Sequence, residues 1–412
     1  MKIAIIGGGA AGLMATASVL EANPSAEVFL LDRNDGLGKK VIISGGGRCN
    51  VTTGIHDIKT VLSKYPRGHK FLATAMHSFS PADVYKWFEL HGVPLKTQED
   101  LRCFPVSNDG HDVVGAFEKI FAASAVNILL KTSVTSISKL GEQFAITLKD
   151  KTEPLIVDKV ILTTGGQAYR QTGSTGDGYA FAVGLGHSIT PLAPSLNAFF
   201  SKETWPAEIS GLSFKKATIT ANRTGKPSFT GPFLFTHKGV SGPAIFALSS
   251  MVAFEKYDHN LPLAITIDLF PDQSHEQLRA LLNKKIVGSP NREFVNVISS
   301  IIPKSLADIA VNELKLPGKR FSAEVGKKDM VAFLNWCKAV PLTIVGRGAG
   351  DEFVTAGGVN LHEVNPVTME SLITPGLFFA GEILDVDGFT GGFNLQASWA
   401  TGRLAGSHAA RF

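Results

Sequence analysis

The chain has 412 residues, 44% of them apolar and 18% charged, with a formal net charge of +4 and an isoelectric point near 8.8. That balance excludes a disordered polypeptide, and the length predicts two or three domains in place of a single core. A mild basic excess without a dense Lys/Arg run does not call for nucleic acid, and the cysteines at 49, 103 and 337 suit neither a disulfide framework nor a metal site.

In chain order, the apolar run 2–6 reads as a central parallel strand and not as a signal peptide. Residues 10–22 have helical composition, and a second strand over 26–31 ends in Asp32, completing a βαβ opening. A glycine-rich, basic stretch follows at 36–50. Residues 71–92 are predicted helical, with Phe79, Val84, Trp87 and Phe88 on one buried face, and 117–126 as another helix. The alternation over 127–148 predicts strands with Gly141 at a hairpin turn, and 157–162 a strand. From about 190 the texture becomes rich in proline and aromatics, with alternating segments at 217–221 and 263–269. Helices are expected at 276–287, 293–301, 306–314 and 329–338. Glycine-rich, apolar sequence returns near 346. The expected organisation is α/β: a discontinuous domain of 1–189 and 346–412, a β-rich insert of 190–274 with 339–345, and a helical insert of 275–338. The longest uncharged stretch, 239–254, is too short and too broken by Gly242-Pro243 to span a bilayer, so a cytoplasmic location is expected.

The sequence GGGAAG at 7–12 lies between the first strand and the first helix. Gly7 permits the tight turn, Gly9 lets backbone approach a pyrophosphate, and Gly12 lets the helix pack close to the strand, with Ala10 and Ala11 between them. The helix N-terminus presents free N–H groups to phosphate. Asp32, 20 residues beyond Gly12, stands where an acid accepts ribose hydroxyls, with Arg33 next to it. The fingerprint suits FAD or NAD equally. A second glycine cluster favours a flavin: Lys39 and Lys40, then Ser44, Gly45, Gly46, Arg48, Cys49 and Asn50 supply further backbone donors and charge. Thr164, Gly165 and Gly166 end an apolar strand where backbone comes close to a ligand. Asp177 in TGSTGDGY reads either as a ligand residue or as a helix N-cap. Near the C-terminal end, a strand closes at Gly381-Glu382, followed by Asp385, Gly391, Gly392, Phe393 and Asn394, with a helix expected from Leu395. The acid suits a ribityl hydroxyl, and the helix dipole suits the flavin edge where negative charge develops on reduction.

Together GGGAAG, SGGGRCN, TGSTGDGY, LFTHKGVSGP, VTAGGV and GEILDVDGFTGGFNLQ resemble the BaiN-like, aminoacetone-oxidase-family FAD-binding flavoproteins, in order over nearly the whole chain. The chain is more distantly similar to fumarate reductase and succinate dehydrogenase flavoprotein subunits. The resemblance implies a Rossmann-like FAD domain interrupted by β-barrel-like and helical inserts. It further implies that Ala11, Asp32, Lys40, Arg48, Asn50, Glu382 and Asn394 line FAD and that the Val134 backbone reaches the adenine. Asp32 departs from the Glu common in related flavoproteins.

The flavin N5 would exchange hydride with substrate, and the 190–345 insert is the expected lid. His237 is a candidate acid or base, Ser241 a substrate-binding hydroxyl, and Tyr169 a further candidate. Cys49 reads as a small buried thiol, and a redox role is the alternative. Cys103 is not read as catalytic, and His56, His69 and His77 have no partners at telling spacings. GRGAG at 346–350 lacks the spacing and acid of a second nucleotide motif, so NAD(P)H is expected, if at all, as a transient donor. The expected activity is a small-molecule C=C reductase or an amine or ketone oxidase. An RNA-modifying flavoenzyme and a non-catalytic flavin protein are the alternatives. Nothing in the sequence speaks to oligomeric state.

Overall fold

A computed structural model describes residues 1–348 and 352–411. The chain forms two compact units, Met1–Ser195 with Gly350–Phe412, and Leu196–Ala349.

The first unit is built on a five-stranded parallel sheet. Its strands are β1 (Lys2–Ile6), β2 (Glu27–Leu31), β3 (Val126–Leu129), β4 (Lys159–Leu162) and β5 (Leu377–Phe379), in the spatial order β5-β4-β1-β2-β3. Ile3, Ala4, Ile5 and Ile6 are all buried, because a central parallel strand is covered on both faces. Helix α1 (Ala10–Ala22) follows β1, and α2 (Phe393–Ala409) follows β5. The two helices pack closely because small residues face each other. A Cβ at Gly402 would lie 2.5 Å from the Ala11 carbonyl, and one at Gly406 2.3 Å from that of Ala15. Strands β5 and β4 thus bring the 380s beside β1, as the sequence reading required.

The second unit is a closed six-stranded antiparallel barrel. Its strands run around it as Phe199–Ser201, Gly239–Ser241, Ser228–Thr236, Ser213–Ala221, Leu263–Asp268 and Val340–Arg347. Phe199, Ile219, Phe233, Phe235, Ile265 and Ile344 fill it, following the two-residue period of the strands. Between the last two strands in sequence come the helices His275–Val287, Phe294–Ile298, Lys304–Leu314 and Lys327–Lys338. Of the GRGAG stretch, Ala349 and Gly350 lie outside the described residues.

Several expected boundaries shift. The helix foreseen over 71–92 is two, Ala73–Ser78 and Pro81–Leu90, because Ser80 and Asp83 form a capping box ahead of Pro81. The helix foreseen at 117–126 is Gly110–Ala122, capped by Asp109, and Val126 already belongs to β3. The strand foreseen at 157–162 breaks at Asp158. Leu155–Val157 pairs with the hairpin strand Gln143–Leu148, while 159–162 joins the parallel sheet. The final helix starts at Phe393 instead of Leu395.

Candidate functional site

The site grows from the turn between β1 and α1. Gly7 has φ of +110°, and a Cβ there would lie 2.6 Å from the Thr163 carbonyl. A Cβ at Gly12 would lie 1.8 Å from the Gly7 carbonyl. One at Gly9, in contrast, would meet no atom within 4 Å. Gly9 caps α1 without a side-chain hydrogen bond, and no acidic residue lies in the first turn, so Ala10, Ala11 and Gly12 open the helix with N–H groups suited to an anion. Asp32 Oδ2 accepts from Gly8 N at 2.7 Å and Oδ1 from Asn34 N at 2.8 Å. The carboxylate therefore stiffens the turn, and each oxygen keeps a lone pair for a hydroxyl. Thr132 N donates to Asp32 O, which places Val134 two residues from that contact.

The two glycine clusters meet. Gly45, Gly46 and Gly47 all have positive φ, and Cβ atoms at Gly46 and Gly47 would meet nothing within 4 Å. Arg48 stacks its guanidinium 4.1 Å from the Phe104 ring centre. Asn50 spans the gap to the C-terminal loop. Its amide oxygen accepts from Gly392 N at 2.9 Å, and its nitrogen donates to Thr52 O and Cys103 O at 3.2 and 3.3 Å. Gln396, fully buried, accepts from Thr52 Oγ1 at 2.6 Å, and Trp399 Nε1 donates to Val51 O at 2.9 Å. Helix α2, capped by Gly392 with no side-chain bond, is thereby fixed against 50–52. Asn394 closes its own loop by accepting from Gly388 N and donating to Gly388 O, both at 2.8 Å. Gly391 lies against the Phe393 ring, and Tyr65 Oη donates to Phe393 O at 2.6 Å, with Leu395 half-buried one turn on. Gly381 sits 2.7 Å, by its would-be Cβ, from Ala11 Cβ.

Between these loops lie paired charges. Lys40 Nζ contacts Glu382 Oε2 at 2.7 Å, and Glu382 Oε1 accepts from Thr355 N at 2.8 Å. Thr355 Oγ1 accepts from Gln167 N at 2.7 Å and would clash with a Cβ at Gly166. Lys39 pairs with Asp35, and Arg33 with Asp177 at 2.6 Å. Asp177 is therefore the first helical residue and an ion-pair partner; the cap is Gly176. Tyr169 (φ +57°) is half-buried, its ring stacked on Phe353 with Lys40 Nζ 5.8 Å from its centre. Ser44 Oγ donates to Val41 O at 2.7 Å. Cys49 is completely buried, and burial pushes its thiol up to about 12, which fits the inert reading and not the redox one.

Sequence reasoning passed over Arg67, Thr355, Gln396 and Asp387. Asp387 is fully buried and forms a two-pronged ion pair with Arg67, while Ser195 Oγ donates to it at 2.8 Å. The DVDG string was the available signal, but its partner at 67 is too distant in sequence to foresee. His237 is exposed in the turn between two barrel strands and Ser241 half-buried at the end of the second. Both belong to the second unit, whereas the flavin-loop candidates and Tyr169 belong to the first.

The first unit fits FAD on its own terms. Thr164 Oγ1, Asp385 Oδ1 and the Tyr179 hydroxyl are buried with no hydrogen-bond partner in the protein. Such atoms cost about 1–3 kcal/mol each unless a polar ligand meets them. Thr164 and Tyr179 adjoin, since a Cβ at Gly178 would touch Thr164 Oγ1, and Glu382 and Asp385 are the charges that act on Tyr179. Burial lifts the Asp385 carboxyl above its ordinary range, opposed by hydrogen bonds from Thr190 and Gly357 and by Arg67. Gly165, at φ +71°, faces Ser174. Uncapped helix ends, glycines open to a ligand and unpaired buried oxygens are what a dinucleotide with a polar ribityl chain requires. Lys40, Arg48 and the amides of 44–50 could meet phosphate or flavin oxygens, and Asp32 and Glu382 hydroxyls.

The model of the HI0933-like protein Rossmann domain matches residues 1–408. The chain is 31% identical over 412 residues to a 3-dehydro-bile acid delta(4,6)-reductase of Clostridium scindens, covering 99% of each. It is 28% identical over 403 residues to the ribosomal RNA dihydrouridine synthases of Haemophilus influenzae and Escherichia coli, covering 96% of this chain and 95% of theirs. Its fold is that of a 3-ketosteroid-delta4-(5alpha)-dehydrogenase from Rhodococcus jostii (TM-score 0.55, 16% identity, 100% and 96% coverage). A flavocytochrome c3 fumarate reductase shares it as well (TM-score 0.51, 18% identity, 99% and 78% coverage). Among the described residues no helix is long and apolar enough to cross a membrane. The fingerprint turn, the meeting of the two glycine clusters and these matches converge: the chain belongs to the HI0933-like family of FAD-binding Rossmann proteins and is an FAD-dependent oxidoreductase.

Proposed function

We propose that this flavoenzyme reduces a carbon–carbon double bond conjugated to a carbonyl in a small organic molecule. The supporting observation is the relative named as a delta(4,6)-reductase of a 3-dehydro bile acid, matched over 99% of both chains. The dihydrouridine synthases point to the same bond type, since dihydrouridine is uridine saturated at a double bond conjugated to a ring carbonyl.

Bound FAD supplies hydride to the carbon remote from the carbonyl. The protein's own tasks are then to hold the cofactor, orient the carbonyl and deliver a proton to the neighbouring carbon. In this reading the glycine turn, Asp32, Lys40, Arg48, Asn50, Glu382 and Asn394 hold the dinucleotide, while Thr164, Tyr179 and Asp385 offer polar contacts beside it. Tyr169, His237 and Ser241 are the candidates for proton delivery and carbonyl binding. A nicotinamide dinucleotide is the proposed electron donor.

The test is anaerobic. The flavin is reduced chemically, and its reoxidation is followed with conjugated enones, simple ketones, amines and a uridine-bearing RNA. Rapid reoxidation by enones alone is the expected result. An enzyme whose oxidised flavin is instead reduced by amines, with reduced flavin inert to every double bond, would overturn the reading. A second reading, an RNA substrate, is favoured by the two synthases at 28% identity and predicts reoxidation by the RNA.

A further inference from the structure

His56, His69 and His77, unconnected by any spacing in the sequence, line one cavity of about 750 Å³ in the first unit, together with Lys59, Ile58 and Leu62. Among the described residues no group of three His, Cys, Asp or Glu side chains is placed to hold a metal ion, so these are not a metal set. The charge here is one-sided. Residues 56–77 contain Lys59, Lys64, Arg67 and Lys70 against a single acid, Asp57. Arg67 is engaged by Asp387, and Asp57 is engaged in capping the helix Ile58–Leu62 by accepting from Thr60 N at 2.8 Å. Lys59 and the three imidazoles are solvent-exposed, while Ile58 and Leu62 are half-buried. The result is an apolar floor rimmed by cationic and N–H-donating groups with no competing carboxylate, at a size ordinary for a small-ligand site.

Its position is informative. The segment between Leu62 and His69 is clamped onto the C-terminal flavin loop: Phe389 N donates to Lys64 O at 3.0 Å, Tyr65 Oη to Phe393 O at 2.6 Å, and Arg67 pairs with Asp387. The cavity wall and the flavin loop are therefore one packed piece. No second glycine fingerprint provides for a nicotinamide donor. We propose that this cavity holds the phosphate-bearing part of the nicotinamide dinucleotide that reduces the enzyme. The phosphates lie against Lys59 and the three histidines, and a ring of the donor lies on Ile58 and Leu62. The proposal rests on the reading that such a dinucleotide is the donor, and concerns where it binds.

The test uses FAD-loaded protein and NADP+, which cannot reduce the flavin, with binding measured by calorimetry. K59E is expected to weaken binding about fivefold, as for one exposed charge contact, with the affinity falling as salt rises. H56Q/H69Q/H77Q is expected to weaken it by about tenfold or more. Flavin content and melting temperature stay unchanged, because all four side chains are exposed. Unchanged affinity in both variants overturns the proposal. So does a wild-type protein that ignores NADP+ and NAD+ but binds a short RNA through these same residues. The double-bond reading is scored separately, with chemically reduced enzyme, so an enzyme inert to enones that still loses NADP+ in these variants sinks that reading and leaves this one standing.

Discussion

Substituting Gly9 and Gly12, three residues apart in one turn, should separate folding from flavin binding. A methyl at Gly12 would lie 1.8 Å from the Gly7 carbonyl and 2.8 Å from Thr163 Oγ1, so the turn or the helix must move. Overpacking of that kind costs about 1–3 kcal/mol or more. Gly9 has an ordinary φ of −80° and open space around its would-be Cβ. Asp is also a favoured helix N-cap, so G9D should leave the fold intact or slightly firmer. It would, however, set a carboxylate where a pyrophosphate approaches. At about 4 Å and an effective dielectric constant of about 20, one pair of like charges repels by roughly 4 kcal/mol, or roughly a thousandfold in affinity. The assay is the flavin-to-protein absorbance ratio after purification, alongside thermal unfolding of the flavin-free proteins. G12A should lose both flavin and melting temperature, and G9D only flavin. A folded G9D with its full complement of flavin would refute the assignment of this turn to the pyrophosphate.

Further outcomes follow from the same contacts. Asn50→Leu removes the bridge to Gly392 and should cost about 1–3 kcal/mol of stability in urea titration together with flavin affinity; an unchanged midpoint would show that the bridge is dispensable. Arg67→Met leaves the fully buried Asp387 unpaired and should cost about 3–5 kcal/mol, much of it recovered in R67M/D387L; a loss below about 1 kcal/mol in the single variant would contradict the burial. Ser371 Oγ accepts from the amides of Ile373 and Thr374, so its O–H is the donor to His187 Nε2 at 2.8 Å, which requires a neutral ring. Burial holds that imidazole below its ordinary value. The native state therefore binds fewer protons than the unfolded one, and stability should be full above about pH 6.5 and fall as the pH drops below it. Glu363, held below the ordinary carboxylate range against its burial by Ser188 and His187, titrates lower still. Melting curves between about pH 7.5 and 5 should show this slope, and H187Q should flatten it. His237→Ala should slow turnover while keeping flavin and melting temperature, and unchanged kinetics would remove His237 from the reaction.

The parts of the site that could be read in the sequence are those whose logic is local. Gly7, Gly9 and Gly12 act within one turn, and Asp32 acts on Gly8 and Asn34, so spacing alone conveyed them. The strand periods at 217–221 and 263–269 likewise announced a β-rich unit. Closure of that unit was not legible, because Leu263–Asp268 pairs with Val340–Arg347 across four intervening helices. Contacts spanning hundreds of residues were equally hidden: Arg67 to Asp387, Thr52 to Gln396, Lys40 to Glu382. Composition marks each partner as polar but cannot say that they meet. The single helix expected over 71–92 failed at Ser80-Pro81, where capping chemistry outweighed apolar periodicity.

The packing of α1 on α2 bears on how the protein is made. Asn23 Nδ2 reaches the Ala410 carbonyl over 387 positions of chain, and α1 rests along its length on small residues of α2. A ribosome therefore delivers β1 and α1 long before the helix that covers them, and no amount of free flavin can be captured by the nascent chain in the meantime. Cofactor loading becomes a post-translational event. Scarcity of flavin in a cell would then show as a pool of full-length apoprotein, open at the glycine turn and dependent on chaperones, and not as stalled or shortened products.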